Sequence, residues 1–315
     1  MHPLARRLLY SLVSLIAISM LCFALLRAAP GDYFSELRLE PGLSQKTLTT
    51  MEEQSDLSKP LIERYALWCK AAVRGDFGLS LTYHLPVVQL LGERIANTLM
   101  LAGLGLLGAW ILGLLLGSVT GWPAIAARAF AALLWSIPEP ILALLLLLGA
   151  LRFHALSPLV EISSPAGSSW MHLRSLAGRI ALPALAMTLG YLPVVLRHVQ
   201  RGLDAARRAP AVEAARAHGF TRRRILLSYL LPEAATPLIS LLGLGIGSLL
   251  SASLFVEVLF GWPGLGQLLL NAILARDTNI VVAGVLCSAV MLITGNLFAD
   301  LLLWLHDPRL RAVAR

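Results

Sequence analysis

The chain has 315 residues, 57% of them hydrophobic and only 14% charged, and its mean hydropathy is +0.74. This apolar fraction exceeds what a soluble core of that size needs, so the composition favours a protein embedded in a lipid bilayer. The net charge of +8 fits arginine placed on one side of a membrane. No basic run is interleaved with aromatic residues as in a single-strand binder, so we expect no nucleic-acid partner.

Six apolar segments are long enough to cross a bilayer, because a helix of about 20 residues spans roughly 30 Å of hydrocarbon. They are Leu8–Leu26, Thr98–Gly121, Ala129–Leu151, Ala181–Val199, Leu238–Phe260 and Ile280–Leu305. The first has the basic start of a signal peptide, but its apolar run is longer than usual for one, and we interpret it as an uncleaved span. The sequence predicts an all-α membrane protein with six transmembrane helices.

Arginine placement predicts that both the N-terminus and the C-terminus are cytoplasmic. In that orientation the loop at Arg128, the segment from Arg197 to Arg224 and the basic tail at 309–315 all lie inside. Three loops then lie outside: 27–94, 152–180 and 261–279. These outer loops are mixed or only mildly basic in charge.

Several glycines lie inside the predicted spans. Residues 103–108 read GLGLLG, the spacing of a dinucleotide-binding loop, but no strand precedes them and no acidic residue follows at the required distance. Small residues also recur at every fourth position, in Gly113, Gly117 and Gly121 and again in Gly243, Gly247 and Ser251. We interpret both patterns as surfaces where helix backbones approach closely in lipid.

Residues typical of catalysis are not grouped in this sequence. All three lysines, Lys46, Lys59 and Lys70, lie in a predicted outer loop, so a phosphate-binding Walker A lysine is excluded on the cytoplasmic side. The histidines are scattered, and no catalytic triad or metal-ligand spacing occurs. We expect a chain that is not an enzyme, does not hydrolyse ATP by itself and binds no metal or other cofactor.

Four polar residues in or near the spans need an explanation, because an ionisable group at membrane depth costs a few kcal/mol. Glu139 follows Pro138 and precedes Pro140, which suits either a broken helix facing a water-filled cavity or a position near an interface or neighbouring helix. Glu257 either lines a path or sits at an interfacial turn. Asn296 and Asp300 lie one turn apart and could bridge helices.

The segment after the fourth span predicts two helices. Pro210 suits a first helical position and Gly219 a stop, which leaves about two helical turns between them. Ala211, Ala214, Ala215 and His218 share one face of this helix. Thr221 can then cap a helix that re-enters the bilayer. The segment is either an element for docking another protein or an ordinary basic loop.

The same segment resembles the EAA loop of ABC-importer permeases, whose short coupling helix inserts into a cytoplasmic ATPase. The resemblance rests on Glu213-Ala214-Ala215, Gly219 and Leu231-Pro232, and Tyr229 departs from it. It implies an EAA coupling loop over 204–232. The implied ATPase-docking residues are Ala211, Glu213, Ala214, Ala215, Gly219, Leu231 and Pro232.

Further motifs resemble the dipeptide, oligopeptide and nickel permeases, specifically the first of their two paired subunits. They are Gly75-Asp76-Phe77-Gly78, Phe255-Val256-Glu257, Trp262-Pro263-Gly264-Leu265-Gly266, Ala275-Arg276-Asp277, Asn296 with Asp300, and Asp307-Pro308-Arg309. The resemblance implies the MetI-like type I importer fold, with a helix and long outer loop over 1–95, a permease domain over 96–308 and a tail over 309–315. Glu139-Pro140 and the serine-rich residues 163–169 depart from the family.

The resemblance implies a multi-pass subunit of a bacterial-type plasma membrane importer. Its expected partners are a second homologous permease, two ABC ATPase subunits, an extracytoplasmic solute-binding protein and the lipid bilayer. Glu139, Glu257, Asn296 and Asp300 are then candidates for the translocation path. The expected cargo is short peptides, with nickel or a nickel chelate as the alternative. A rival from another class is an ion-coupled secondary transporter that uses Glu139 and Asp300 as its relay.

Overall fold

The computed structural model describes residues 3–28, 61–153 and 169–306, and their secondary structure is almost entirely helical. The helices are α1 Pro3–Ala28, α2 Leu61–Ala72, α3 Val87–Ser118, α4 Trp122–Trp135, α5 Glu139–Arg152, α6 Ser169–Ala206, α7 Pro210–Ala217, α8 Arg222–Ile225, α9 Leu231–Phe260, α10 Leu265–Leu274 and α11 Thr278–His306. A π-helical turn, Leu226–Leu230, joins α8 to α9. The predicted all-α class is confirmed.

Five described helices are long and apolar enough to cross a bilayer. Their qualifying segments are Leu9–Leu26, Val87–Ser118, Leu176–Ala206, Pro237–Phe260 and Thr278–Leu302. Helices α4 and α5 pass the same test only as a pair, and they are bent by 101° relative to each other. The predicted six spans are therefore reached when this bent pair is counted as one.

The bend between α4 and α5 has a local chemical cause. Helix α4 ends as Ile137 N–H bonds to the Leu134 carbonyl, and the Ser136 hydroxyl donates to the Leu133 carbonyl at 2.7 Å. Pro138 then adopts an extended conformation with ψ 138° and caps α5. Neither Pro138 nor Pro140 has an N–H to continue the helical ladder. The predicted break in the third span is confirmed, but it is a sharp turn between two separate helices.

Three predicted boundaries change in the structure. Helix α3 begins at Val87, eleven residues before the predicted Thr98. Helix α6 begins at Ser169, inside the predicted 152–180 loop, and the predicted 261–279 loop contains α10. Residues 163–168 of the serine-rich stretch, residues 29–60 of the long outer loop and the 309–315 tail lie outside the described residues.

The chain forms two compact units. The smaller comprises residues 1–97 and 263–293. In it α10 buries Leu265, Leu268 and Leu269 in one cluster with residues of α3 and α11. Sequence alone assigned 261–279 to a loop because α10 is too short to span a bilayer, yet one face of this helix is buried.

The larger unit comprises residues 98–262 and 294–315, and α6 contributes more residues to its main buried cluster than any other helix. Close contact with α3 occurs where α3 has no side chain. A Cβ added to Gly105 or Gly108 would lie 2.7 Å from Met187 Cβ or 2.4 Å from Thr188 Oγ1, respectively. At Gly113 and Gly117 it would lie 2.6 and 2.5 Å from Val195 and Val199. These glycines therefore form the predicted packing surface.

Two glycines of the predicted patterns do not take part in this contact. Gly103 has open space around the position of a Cβ, and Gly121 lies beyond the end of α3 with a φ of +76°. On α9, a Cβ at Gly243 would lie 2.3 Å from the Ala299 Cβ of α11, which confirms close packing at that member of the second pattern.

This packing predicts a graded effect of alanine substitution on α3. Gly108→Ala should lower the melting temperature of the purified protein, because the new methyl overlaps Thr188, and overpacking of this kind costs about 1–3 kcal/mol. Gly103→Ala is the matched control and should leave the melting temperature unchanged or slightly higher. Thermal unfolding of the detergent-solubilised protein measures both. Equal melting temperatures for the two variants would contradict the assigned contact.

Candidate functional site

Helix α7 begins where the sequence dictates. Ala209 is extended with ψ 135°. Pro210 is the first residue of the helix, where its missing N–H costs no hydrogen bond. Glu213 lies in the first turn, where its negative charge interacts favourably with the positive end of the helix dipole. The helix is eight residues long, as the predicted two turns require.

The end of α7 is a hydrogen-bonded turn that requires glycine. Gly219 N–H donates to the Arg216 carbonyl at 2.9 Å and Phe220 N–H to the Ala215 carbonyl at 3.2 Å. This is a Schellman motif, which needs a left-handed residue after the helix. Gly219 supplies it with a φ of +72°. The glycine of the EAA pattern thus reverses the chain and directs it toward α8.

The structure changes the predicted docking face of α7. Ala211, Ala214 and His218 are exposed, but Ala215 is only 2% exposed and belongs to the hydrophobic core of the larger unit. Val212, which the sequence reasoning overlooked, is 1% exposed and packs in the same core. Val212 is the one large aliphatic residue of the helix, and this signal could have identified the inward face. Ala215 is thus not accessible in the single chain, and its predicted part in docking stays a prediction.

The buried side of α7 attaches it to the membrane helices. The core cluster that contains Val212 and Ala215 also contains Leu203 and Ala206 at the end of α6, and Ile225 and Leu230 around the start of α9. These contacts join α7 to the adjacent ends of α6 and α9, and close-packed interiors of this kind transmit strain.

The return into α9 combines a cap and a widened turn. Thr221 Oγ1 accepts a hydrogen bond from Arg224 N–H at 3.4 Å, which confirms the predicted cap of α8. The π-helical turn Leu226–Leu230 lies directly before Leu231 and Pro232. Proline clashes with the carbonyl four residues before it, and a widened turn accommodates this clash. Leu231 is half-buried and Pro232 is exposed, so the Leu-Pro pair shapes the re-entry of the chain.

Glu139 lies at the bend between α4 and α5. It is the first residue of α5 and is exposed in the single chain. It also contacts α6 at a point without a side chain: a Cβ added to Gly190 would lie 3.2 Å from Glu139 Cγ. The structure thus combines the two predicted environments, a broken helix and contact with a neighbouring helix. That Glu139 faces a translocation path stays a prediction.

Glu257 is fully buried, with 0% exposure. The Thr98 hydroxyl of α3 donates a hydrogen bond to Glu257 Oε1 at 2.7 Å, and this bond joins α3 to α9. Its carboxylate is therefore not accessible in this conformation, and the assignment of Glu257 to a path stays a prediction. A buried carboxylate needs such partners, and sequence spacing could not reveal a donor 159 positions away.

Asn296 and Asp300 lie one turn apart on α11, as predicted. Asn296 is exposed and Asp300 is half-buried. Their assignment to a path stays a prediction.

Asp277 is a buried polar residue to which sequence reasoning gave no role. It has 0% exposure, and its carboxylate accepts from the Ser80 hydroxyl at 2.7 Å and from Thr82 N–H at 3.1 Å. It also accepts from Ile280 N–H at 3.2 Å, which caps α11. An aspartate directly before the apolar run of α11 is a recognisable N-cap signal. Asp277 holds the 79–83 turn within the smaller unit.

The family of this chain follows from comparison with known proteins. Residues 87–312 match the family described as the binding-protein-dependent transport system inner membrane component. The chain belongs to this family. A permease of this family is a transport component and not itself catalytic, and the helices described above make it a multi-pass membrane protein.

Full-length relatives carry peptide-transport names. The oligopeptide transport system permease protein OppB of Mycobacterium tuberculosis is 33% identical over 98% of both chains. The oligopeptide transport system permease protein AppB of Bacillus subtilis is 30% identical over 97% of this chain and 98% of its own. The dipeptide transport system permease protein DppB of Escherichia coli is 28% identical over 97% of both.

Two solved structures share the fold. One is a chain of an amino acid ABC transporter crystallised with histidines, with a TM-score of 0.53 and 18% identity, covering 68% of this chain and 93% of its own. The other is a chain of the inward-facing MetNI methionine ABC transporter, with a TM-score of 0.54 and 21% identity, covering 70% of this chain and 97% of its own. The predicted MetI-like permease fold is confirmed.

The Thr98–Glu257 contact predicts a difference between two substitutions. Thr98→Val removes the hydroxyl and should lower the melting temperature of the purified protein. The buried carboxylate of Glu257 then loses a hydrogen-bond donor, which costs about 1–3 kcal/mol. Thr98→Ser keeps the donor and should retain most of the stability. The valine variant keeps the threonine methyl, so a melting temperature equal to that of the wild type would show that the hydrogen bond does not stabilise the fold.

Proposed function

We propose that this chain is a permease subunit of an ATP-driven importer in the bacterial plasma membrane. It forms half of a translocation path for short peptides that a solute-binding protein delivers. Its proposed partners are a second homologous permease and two ABC ATPase subunits. The observation that carries the proposal is the attachment of α7 to the ends of α6 and α9, in a chain whose full-length relatives are peptide permeases.

The outer face of α7 supplies the proposed ATPase contact. Ala211, Glu213 and Ala214 are exposed, and so is Gly219 at the end of the helix. Small exposed residues allow a groove of the ATPase to approach the backbone of α7 closely. Val212 and Ala215 on the opposite face hold the helix to the core. Each face of this short helix therefore has a separate task.

Nucleotide-driven closure of the ATPases would displace α7, and α6 and α9 would follow because their ends share its core. This motion would convert the path between inward-facing and outward-facing states, as alternating access requires. Glu139 and Asn296, both exposed in the single chain, and the half-buried Asp300 are proposed to face the path. Glu257 is a structural group in this conformation.

The names of the full-length relatives support peptides over nickel as cargo. The family match also supports the importer over an ion-coupled secondary transporter.

Substitution on α7 tests the proposed ATPase contact. Ala214→Arg adds a long charged side chain to the exposed face and should weaken association with the ATPase subunits about 30-fold, the effect of losing a hot spot of about 2 kcal/mol. Ala96→Arg, at an exposed alanine of α3 outside the 204–232 loop, is the matched control and should bind normally. Co-purification from detergent-solubilised membranes measures both. Normal ATPase recovery with Ala214→Arg would refute the assigned face.

Ala215→Arg serves as a second comparison in that experiment. Because Ala215 is buried in the chain's own core, this variant should lose thermal stability as well as ATPase binding, whereas Ala214→Arg should keep its melting temperature.

Transport assays separate the importer from its ion-coupled rival. Proteoliposomes that contain the assembled complex and a peptide-loaded binding protein should accumulate labelled peptide only with ATP inside. Accumulation should persist when an uncoupler collapses the ion gradient. Uptake by this chain alone, driven by an ion gradient and lost in a Glu139→Gln, Asp300→Asn variant, would instead establish the secondary transporter.

A further inference from the structure

A cavity of about 420 Å³ lies between α4 and the last third of α6, within the larger unit. Three arginines line it: Arg128 from α4, and Arg197 and Arg201 from α6. Trp135, Gln200 and Asp204 also contribute to the wall. Nothing in the proposed transport mechanism uses this cavity.

The cavity has an excess of positive charge. Asp204 is its one acidic lining residue, and this carboxylate is engaged in an ion pair with Arg207 of the same helix. In the part of the chain that the structure describes, no carboxylate forms an ion pair with the other three arginines. The Arg197 guanidinium lies 4.5 Å from the centre of the Trp135 ring, which orients it by a cation–π contact. The cavity therefore favours an anionic ligand.

The rest of the wall is apolar. Ala131, Ala132 and Leu196 line the cavity beside the arginines. On α4, Ile125, Phe130 and Leu133 are 66%, 44% and 60% exposed, as expected for side chains that face hydrocarbon. A ligand with a charged head and an apolar body matches both parts of this surface, whereas a small inorganic anion would use only the arginines.

Arg197 and Arg201 lie toward the C-terminal end of the segment of α6 that qualifies as a span, Leu176–Ala206. The apolar segment of α6 begins at Leu176. With a rise of 1.5 Å per residue, Arg197 and Arg201 lie about 32 and 38 Å further along the helix. A bilayer has roughly 30 Å of hydrocarbon. A span that enters the hydrocarbon at Leu176 would therefore place these two guanidinium groups near its far edge, on the side of the coupling segment.

We propose that this cavity binds an anionic phospholipid of the cytoplasmic leaflet. The phosphate group would lie among Arg128, Arg197 and Arg201, and the acyl chains would run along the exposed apolar residues of α4. Basic pockets between membrane helices on the cytoplasmic side bind such head groups. The proposal depends on the cytoplasmic location of the coupling segment and not on the cargo.

Lipid at this position would bear directly on the end of α6. Arg201 and Asp204 flank Leu203, which shares the core of α7 through Val212 and Ala215. The ligand would thus contact the same helical end that the coupling helix displaces.

Lipid titration of the purified complex tests the proposal. The full-length chain is purified with its co-expressed partners in neutral detergent and titrated with fluorescent phosphatidylglycerol, with phosphatidylcholine as the zwitterionic comparison. Phosphatidylglycerol should bind at one saturable site per chain, and phosphatidylcholine should not compete. Arg128→Gln and Arg201→Gln should each weaken binding roughly fivefold, in line with the contribution of one arginine at an anionic surface.

Two matched variants control for general charge and folding. Arg152→Gln removes an exposed arginine of the same unit that does not line the cavity, and it should bind as the wild type does. Arg197→Lys keeps the charge and should retain more binding than Arg197→Gln. Gel-filtration profiles and melting temperatures confirm that each variant is folded.

Three results would overturn the proposal. Equal binding by the wild type and both cavity variants would place the lipid elsewhere, and an equal loss with Arg152→Gln would indicate non-specific attraction. Displacement of the lipid by millimolar inorganic phosphate or by a short acidic peptide would assign the cavity to a soluble anion or to cargo. Each outcome is independent of whether the complex transports peptides.

Discussion

The contact of α6 with its neighbours at positions without side chains is the interaction on which the larger unit depends. Helices in lipid gain little from the hydrophobic effect when they associate, so they rely on close van der Waals packing of small residues. Gly105, Gly108, Gly113 and Gly117 of α3 provide this surface toward α6. On α6 itself, Gly190 admits Glu139 of α5, and Gly202 admits Ala234 of α9. One long helix thereby contacts the elements that form the bend and the return from the coupling segment.

The position of helix α7 follows from this arrangement. Helix α7 has only eight residues, too few to be stable alone. It persists because Pro210 and Gly219 define its ends and because Val212 and Ala215 are buried against α6 and the start of α9. The EAA pattern therefore combines residues of two kinds. Ala215 and Gly219 build the element, while Ala211, Glu213 and Ala214 remain accessible on its surface.

Local chemistry made much of the fold predictable, and distant contacts decided the rest. The spans, the glycine surface of α3 and the ends of α7 follow from apolar length, residue size, Pro210 and Gly219. The 101° turn at Pro138 was predictable only as a break, because proline interrupts the ladder but neighbouring helices determine the angle. Sequence reasoning missed the burial of Ala215 because it overlooked Val212, which packs in the same core. It missed the burial of Glu257 because the donor Thr98 lies 159 positions away. Helix α10 escaped prediction because it is apolar without being long enough to span.

The polar groups of this chain divide by how they are satisfied. Glu257 and Asp277 are fully buried and accept hydrogen bonds from Thr98 and from Ser80, so they stabilise the fold and cannot meet a ligand in this conformation. Glu139 and Asn296 are exposed on helices that are otherwise apolar. The arginines beside Trp135 line an open cavity between α4 and α6. Because an exposed polar or charged group within or at the edge of a membrane is costly without a polar environment, we propose that these two groups of residues contact water, a subunit or lipid. The residues that line the cargo path should therefore be sought among the exposed polar groups, and not among the buried carboxylates that the family motifs make most visible.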